Sequence, residues 1–233
     1  MQLAIIVPVL NDAPALARLL PALAPLRSRG ARVIVVDGGS ADDPAAVSHG
    51  YVDAFLHAKA GRAAQQHAGT VAQTVDAFWF LHADSIIPPD ADAHIGHALA
   101  ARAWGRFDVR LAGRSRLLPV VAWCMNQRSA LTGICTGDQG MFVTADAYAR
   151  VGGFPQIALM EDIALSKRLK RISPPARIKV PIMSSGRRWD ARGALQTIFS
   201  MWWLRLRYFF GADPTKLHRA YYRAPSSSAP KQR

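Results

Sequence analysis

Leu3-Ala4-Ile5-Ile6-Val7-Pro8-Val9 is an unbroken apolar run of strand length. Residues 31–37, Ala-Arg-Val-Ile-Val-Val-Asp, form a second such run, β-branched and ending in an acid. Between them Leu16, Leu19, Leu20, Leu23 and Leu26 recur at helical spacing. A strand that is apolar at nearly every position is covered on both faces, so strand, helix, strand in this form specifies a parallel sheet. Pro21 and Pro25 disturb the helix and predict a kink or an early end.

The same rhythm continues outward. Residues 54–58 read as a weaker strand, 62–72 as a helix, 77–81 as a buried strand and 90–102 as a helix. After residue 102 the rhythm breaks. Residues 107–112 alternate Phe107, Val109 and Leu111 with polar partners, which predicts a half-exposed antiparallel strand. Short strands follow at 140–143 and 177–182, and Thr144 can cap the helix after the first of them. Residues 194–210 predict an amphipathic helix whose stripe Leu195, Ile198, Trp202, Leu206 and Phe209 packs on the sheet or on a second subunit. Its other side carries Phe199, Trp203 and Phe210 beside Arg205 and Arg207; that mixture suits either a bilayer interface or an edge covered by the segment after residue 210. With no repeats and no internal linker, residues 1–223 read as one α/β domain. Residues 224–233 have the composition of a disordered tail.

Half of the 233 residues are apolar, enough for a substantial core. The net charge of +13 is unevenly spread: residues 1–101 carry −3 and residues 102–233 carry +16. A basic half implies an anionic partner, which could be a phosphorylated substrate, a phospholipid surface or nucleic acid, unless it is only a solvated arginine-rich face. Cys124 and Cys135 fit no zinc or redox spacing and read as small buried residues of a reducing compartment. The start of the chain enters a strand at once, without the basic region or cleavage site of a signal peptide. No apolar run reaches the ~18 residues of a membrane span. The expected location is the cytoplasm, with a possible peripheral contact on the inner membrane's cytoplasmic face.

Ligands of open parallel sheets bind outside the carboxyl ends of the strands. Pro8 to Asn11, Asp37, His57 to Arg62, and His82-Ala83-Asp84 all lie at such ends. Asp37 could meet a ribose hydroxyl or base edge, and Gly61-Arg62 opens a helix where phosphate can bind. Asp84 could hold Mg²⁺ or Mn²⁺, the other ligands coming from substrate phosphates and water. Glu161-Asp162, containing the only glutamate of the chain, starts a helix and could supply a general base. Arg187, Arg188 and Trp189 could clamp a diphosphate. Taken singly, each also fits a structural role: a glycine turn at Asp37, a surface Arg62, a capping Asp84, an acid-favouring helix start at Glu161-Asp162. No Gly-x-x-x-x-Gly-Lys loop and no Gly-x-Gly-x-x-Gly fingerprint is present, which removes the main support for an ATPase or a dehydrogenase.

In this order the pieces resemble the inverting family 2 glycosyltransferases of GT-A fold, most of all the small bacterial ones encoded beside radical-SAM and selenium-related genes. The resemblance runs from residue 3 to about 222. It rests on Ile-Val-Pro-Val-Leu-Asn (6–11), Val-Val-Asp-Gly-Gly-Ser-Ala-Asp (35–42), Gly-Arg-Ala-Ala-Gln-Gln (61–66) and Leu-His-Ala-Asp-Ser (81–85). Gly-Asp-Gln-Gly-Met-Phe-Val (137–143), Gly-Gly-Phe-Pro (152–155), Met-Glu-Asp-Ile (160–163), Ser-Ser-Gly-Arg-Arg-Trp (184–189) and Phe-Gly-Ala-Asp-Pro (210–214) complete it. The resemblance implies a mostly parallel sheet with helices on both faces and a C-terminal amphipathic helix. It implies a nucleotide-sugar donor bound by about residues 1–101, an acceptor hydroxyl served by 102–223, and a divalent metal. Pro8, Asn11, Asp37, Gly61, Arg62, His82, Asp84, Arg188 and Trp189 would bind the donor. Asp84 matches the last acid of the Asp-x-Asp metal motif, and Asp162 matches the catalytic base with Glu161 beside it. Asp138 and Gln139 would lie on the acceptor side, where a lipid-linked acceptor would give the basic half a purpose. The sequence departs from the pattern at His82, where the first acid of Asp-x-Asp is usual. Gly38 replaces a frequent second acid, and Ser185 the glutamine of Gln-x-x-Arg-Trp.

Two rivals remain. A sugar-phosphate nucleotidyltransferase should carry a glycine-rich basic loop after the first strand, whereas Pro8-Val9-Leu10-Asn11-Asp12 has neither feature. Against a nucleic-acid-binding module stand the acidic strand ends and the lack of a reader motif, so no nucleic-acid partner is expected.

Overall fold

The structure is a computed structural model that describes residues 1–71 and 73–222; the expected tail at 224–233 lies outside the described residues, as do the side chains of Arg188, Ala191, Arg192, Ala194 and Leu195. The strands are β1 (Leu3–Val9), β2 (Arg32–Asp37), β3 (Ala54–His57), β4 (Ala77–Phe80), β5 (Trp104–Ala112), β6 (Phe142–Thr144) and β7 (Ala176–Ser185). The helices are α1 (Ala13–Ser28), α2 (Pro44–Ser48), α3 (Arg62–Thr70), α4 (Ala91–Ala101), α5 (Leu118–Thr132), α6 (Ala145–Arg150), α7 (Glu161–Leu169), α8 (Arg187–Arg192), α9 (Ala194–Phe209) and α10 (Pro214–Tyr222). Among the described residues the strands form one seven-stranded sheet of order β3-β2-β1-β4-β6-β5-β7, in which β6 runs antiparallel to both neighbours and the other pairings are parallel.

Alternation along the apolar strands feeds two cores. Ile5, Val7, Val33 and Val35 pack under α1 and α4, with Leu16, Leu20, Leu23 and Ile95. Ala4, Ile6, Ile34 and Val36 face Ala63, Ala147 and Leu165 of α3, α6 and α7. The approach of α3 is tight: a Cβ on Gly69 would stand 2.5 Å from Cγ2 of Ile6. Gly69→Val is therefore expected to destabilise by about 1–3 kcal/mol; urea unfolding should show a lower midpoint at unchanged slope.

Three expectations are corrected here. First, α1 does not end early: it continues through Pro21 and Pro25 to Ser28. Both prolines are exposed while the leucines are buried, so the apolar face holds the helix. Second, β5 is not antiparallel over 107–112: it runs parallel to β7 there, and although Arg110 and Ala112 are exposed as expected, residues 104–109 are buried. Its polar side is buried because its charges are paired. The Asp108 carboxylate accepts from Arg106 Nη1 at 2.7 Å and from Arg177 Nε at 2.9 Å. Where the short β6 runs out, Asn126 of α5 takes a strand's place: its Oδ1 accepts from Val109 N and its Nδ2 donates to Val109 O, both at 2.9 Å. Third, the stripe of α9 that packs within the chain is not the expected one. Thr197 and Leu204 are buried, whereas Trp202, Leu206 and Phe209 are 71%, 50% and 73% exposed. Helix α10 sets Leu217 against Leu204, Leu159, Met160 and Ile163, leaving Phe199, Trp203 and Phe210 uncovered. Apolar spacing marked the helix but could not mark which stripe has a partner.

Candidate active site

Strand order reverses beside β1: the chain builds β2 and β3 on one side, then returns to place β4 on the other. Such a switch point opens a crevice at the carboxyl ends of the strands. Pairing of β1 with β4 ends at Ile6↔Phe80, so Pro8, buried and lacking an N–H, sits where the two strands have parted. A cleft of about 530 Å³ opens at this end, walled by the chain after β4, by α7 and by helices α5, α8 and α9.

The structure brings Arg62, His82, Asp84, Asp138, Asp162 and Trp189 together on the cleft wall. Pro8, Asn11, Asp37, Gly61, Glu161 and Gln139 are not part of that wall. Asp37 is buried, its carboxylate accepting from Ser40 Oγ at 2.6 Å and from Ser40 N at 3.0 Å. Burial raises its pKa, but the Ser40 and Gly39 bonds and His57 prevail and hold it below the usual range. Asn11, at φ +52°, donates its N–H to Ser40 Oγ and accepts from Ala41 N, so these two residues shape the turn after β2. Gln65 joins them, donating to the carbonyls of Val9 and Val36 at 2.7 and 2.9 Å. A Cβ on Gly38 would stand 3.0 Å from the Gln65 amide, so a larger residue there would have to displace it.

Gly61 (φ +134°) starts α3 and aims Arg62 back across the cleft to Glu161, with Nε 2.9 Å from Oε1. Burial raises the Glu161 pKa and Arg62 opposes it; the carboxylate is committed to that arginine and faces away from the cleft wall. Gln139 is wholly buried, closing a capping box with Thr136. Its neighbour Asp138 does reach the cleft. Its Oδ1 lies 3.5 Å from His82 Nδ1 and accepts from Ser184 Oγ at 3.1 Å. Burial opposes both charges, but the pairing wins: Asp138 is held at about 2 and His82 above its ordinary value. The remaining ring nitrogen, Nε2, is buried without a partner among the described residues.

Gly137 links this pair to the acid at the start of α7. Its N–H donates to Asp162 Oδ2 at 2.9 Å, and a Cβ there would press within 2.5 Å of His82 Nε2. The second oxygen of Asp162 accepts from Ile163 N at 2.7 Å. Met160, at φ +70°, makes the sharp entry into α7 that sends Glu161 inward and Asp162 to the cleft.

Across the mouth, Arg187 of α8 holds Asp12 with two bonds of 3.0 and 2.6 Å and reaches Asp84 Oδ2 at 3.4 Å. The Arg188 side chain lies outside the described residues. Among the described residues no cluster of three or more His, Cys, Asp or Glu could by itself hold a metal. Sequence reading missed Gln65, Asp12 and two arginines of the inner wall, Arg128 and Arg205. It also placed Cys124 in the core, whereas Cys124 is exposed on the cleft and only Cys135 is buried.

Residues 4–105 match the family model described as Glycosyl transferase family 2. Two relatives from strains of Mycobacterium tuberculosis, both uncharacterized glycosyltransferases, are 30% identical over 156 residues, which is 62% of this chain and 59% of theirs. The chain thus spans about three fifths of the length of these curated relatives. Among solved structures, the mannosyltransferase PcManGT of Pyrobaculum calidifontis, in complex with GDP-Man and Mn²⁺, superposes with a TM-score of 0.64 at 20% identity, covering 94% of this chain and 63% of that one. Glucosyl-3-phosphoglycerate synthase of Mycobacterium tuberculosis, with Mn²⁺, UDP and glucosyl-3-phosphoglycerate, gives 0.57 at 16% identity over 77% of this chain and 70% of that one. The mostly parallel sheet, its switch-point cleft and these likenesses make the fold the GT-A fold of glycosyltransferases, with the family 2 match lying over residues 4–105.

Proposed function

We propose that the protein is an inverting glycosyltransferase that moves a sugar from a nucleotide-diphosphate donor to an acceptor hydroxyl. The observation that carries this reading is the convergence, in one switch-point cleft, of Asp84, the His82–Asp138 pair and Asp162. About residues 1–101 hold the donor, and the remainder shapes the acceptor side. Asp162 takes the hydroxyl proton while the acceptor oxygen bonds to the anomeric carbon. The bond from that carbon to the diphosphate breaks, the electron pair leaves with the diphosphate, and a single displacement inverts the centre. Arg62, held by Glu161, and His82, held by Asp138, face the departing charge as preset donors. Trp189 gives a flat apolar wall.

Asp84 fits a hard divalent cation that takes most of its oxygens from the diphosphate, because it offers one carboxylate, 21% exposed, at the cleft mouth. Such a cation, when bound, neutralises the leaving group. Asp84→Asn is expected to abolish the Mn²⁺-dependent gain in nucleoside diphosphate affinity with little change in melting temperature. His82→Ala should reduce that gain less. A thermal-shift series of nucleoside diphosphates with Mn²⁺ and with EDTA reads both effects. Equal affinity under the two conditions in the wild type rules the metal out, and no nucleoside diphosphate binding at all rules out the reading itself.

A further inference from the structure

The cleft continues past its acidic residues. Behind Asp162 it passes Arg128 of α5 and Arg205 of α9 and adjoins a second cavity of about 700 Å³; both arginines line both spaces. The second cavity is walled largely by the exposed side of α9, with Phe199, Trp202, Trp203, Leu206 and Phe209.

The two arginines are the unusual part. Nε and Nη2 of Arg128 and Nε of Arg205 are buried without a hydrogen-bond partner among the described residues. Burial, and then the charge of Arg205, bring Arg128 down to about 10 against the pull of Asp162. Burial also lowers Arg205, against the pull of Asp162 and Asp138. Among the described residues the one arginine that is wholly buried, Arg106, is paired with Asp108. A buried, unmatched cation is costly and persists where a ligand supplies the missing charge. Here the missing charge lies between a reaction cleft and a hydrocarbon-like groove.

We infer that this passage is the acceptor subsite, and that the acceptor is a lipid whose phosphate-bearing head group carries the hydroxyl to be glycosylated. The inference rests on the glycosyltransferase reading above. The phosphate sits between Arg128 and Arg205, the hydroxyl points to Asp162, and the chain lies along Trp202 and Phe209. The lipid hydroxyl's oxygen bonds to the anomeric carbon as the diphosphate leaves with the electron pair, and its proton passes to Asp162. The uncovered aromatics of α9, with Arg207 beside them, rest at headgroup level while the lipid stays in its leaflet. Among the described residues no helix is long and apolar enough to cross a membrane.

The test uses the full chain and tryptophan fluorescence, since Trp202 and Trp203 line the groove. Dihexanoyl phosphatidylglycerol should bind about tenfold more tightly than dihexanoyl phosphatidylcholine or chain-free glycerol phosphate, as one charge-assisted contact site predicts. Arg128→Gln with Arg205→Gln should erase that preference and leave the thermal shift by nucleoside diphosphate intact. Arg128→Met should raise the melting temperature, by about 2–4 °C, because it removes an unmatched buried charge. Equal binding of glycerol phosphate makes the site one for free phosphate, and equal binding of phosphatidylcholine makes it an apolar patch; either overturns the inference. So does loss of nucleoside diphosphate binding in the double variant, which would assign the arginines to the donor, or a lowered melting temperature for Arg128→Met, which would make them structural. If the wild type binds phosphatidylglycerol selectively but no nucleoside diphosphate, the lipid subsite stands and the glycosyltransferase reading falls.

Discussion

Asp162→Asn lowers kcat by about two to four orders of magnitude, the usual worth of a general base, and leaves donor affinity nearly unchanged. The reason is local. The carboxylate stands on the cleft wall at the first turn of α7, with Gly137 N and Ile163 N donating to its two oxygens. Those bonds fix its direction, and α7's N-terminal dipole favours the anion. An asparagine keeps the shape, forfeits one of the two bonds at a cost of about 1 kcal/mol, and cannot accept the proton. Steady-state release of nucleoside diphosphate in the presence of acceptor measures the loss. Turnover near the wild-type value would move the base elsewhere, and Glu161, committed to Arg62, is poorly placed to replace it.

Asp108→Asn should damage stability more than Gly69→Val does. Arg106 is 1% exposed, and its guanidinium meets that carboxylate at 2.7 Å. Removing the charge strands a buried cation, which costs about 3–5 kcal/mol and lowers the melting temperature by about 10 °C or more. The paired replacement Arg106→Met with Asp108→Leu should recover most of that loss, because only Arg177, whose side chain is 30% exposed to water, then lacks its partner. Burial raises the Asp108 pKa, but Arg177 and Arg106 prevail and hold it below the usual carboxylate range. Its stabilisation is therefore complete above the unfolded pKa of about 3.9 and is lost as pH falls through the lower folded value. Acid titrations of the melting temperature should show this limb in the wild type and lack it in Asp108→Asn.

Local order reads well from sequence where the pattern has one explanation. The apolar runs at 3–9 and 31–37 can only be doubly covered strands, and Thr144 does cap α6, accepting from Ala147 N at 3.2 Å. Helix α5 was missed because it is apolar on several sides: Leu118 and Val121 are buried, but Val120, Trp123 and Leu131 are exposed, so no period stands out. In β5, alternation over 107–112 predicted exposure for Asp108; a polar residue on a strand says that it needs a partner, and water is only one of the candidates. The site followed the same rule. Motif order drew attention to His82, Asp84, Asp138 and Asp162, which share the cleft wall. Asp12 with Arg187 pairs residues 175 apart, and Arg128 with Arg205 joins two helices whose apposition no local pattern encodes.

The Arg187 clasp has its own thermodynamic consequence. Asp84 is free only in the fraction of molecules whose arginine has let go, so any cation arriving there shows its intrinsic affinity reduced by that fraction. The clasp is exposed, with the Arg187 side chain 58% accessible, so added salt loosens it. Over the range where the clasp melts, apparent cation affinity should climb with ionic strength, opposite to the trend of simple attraction. An arriving anion and cation would each take one of the separated partners, the anion Arg187 and the cation Asp84. Either alone leaves a charge unmatched; together they exchange one set of pairs for another. Binding of the two is thereby coupled, and each tightens the other by the same factor.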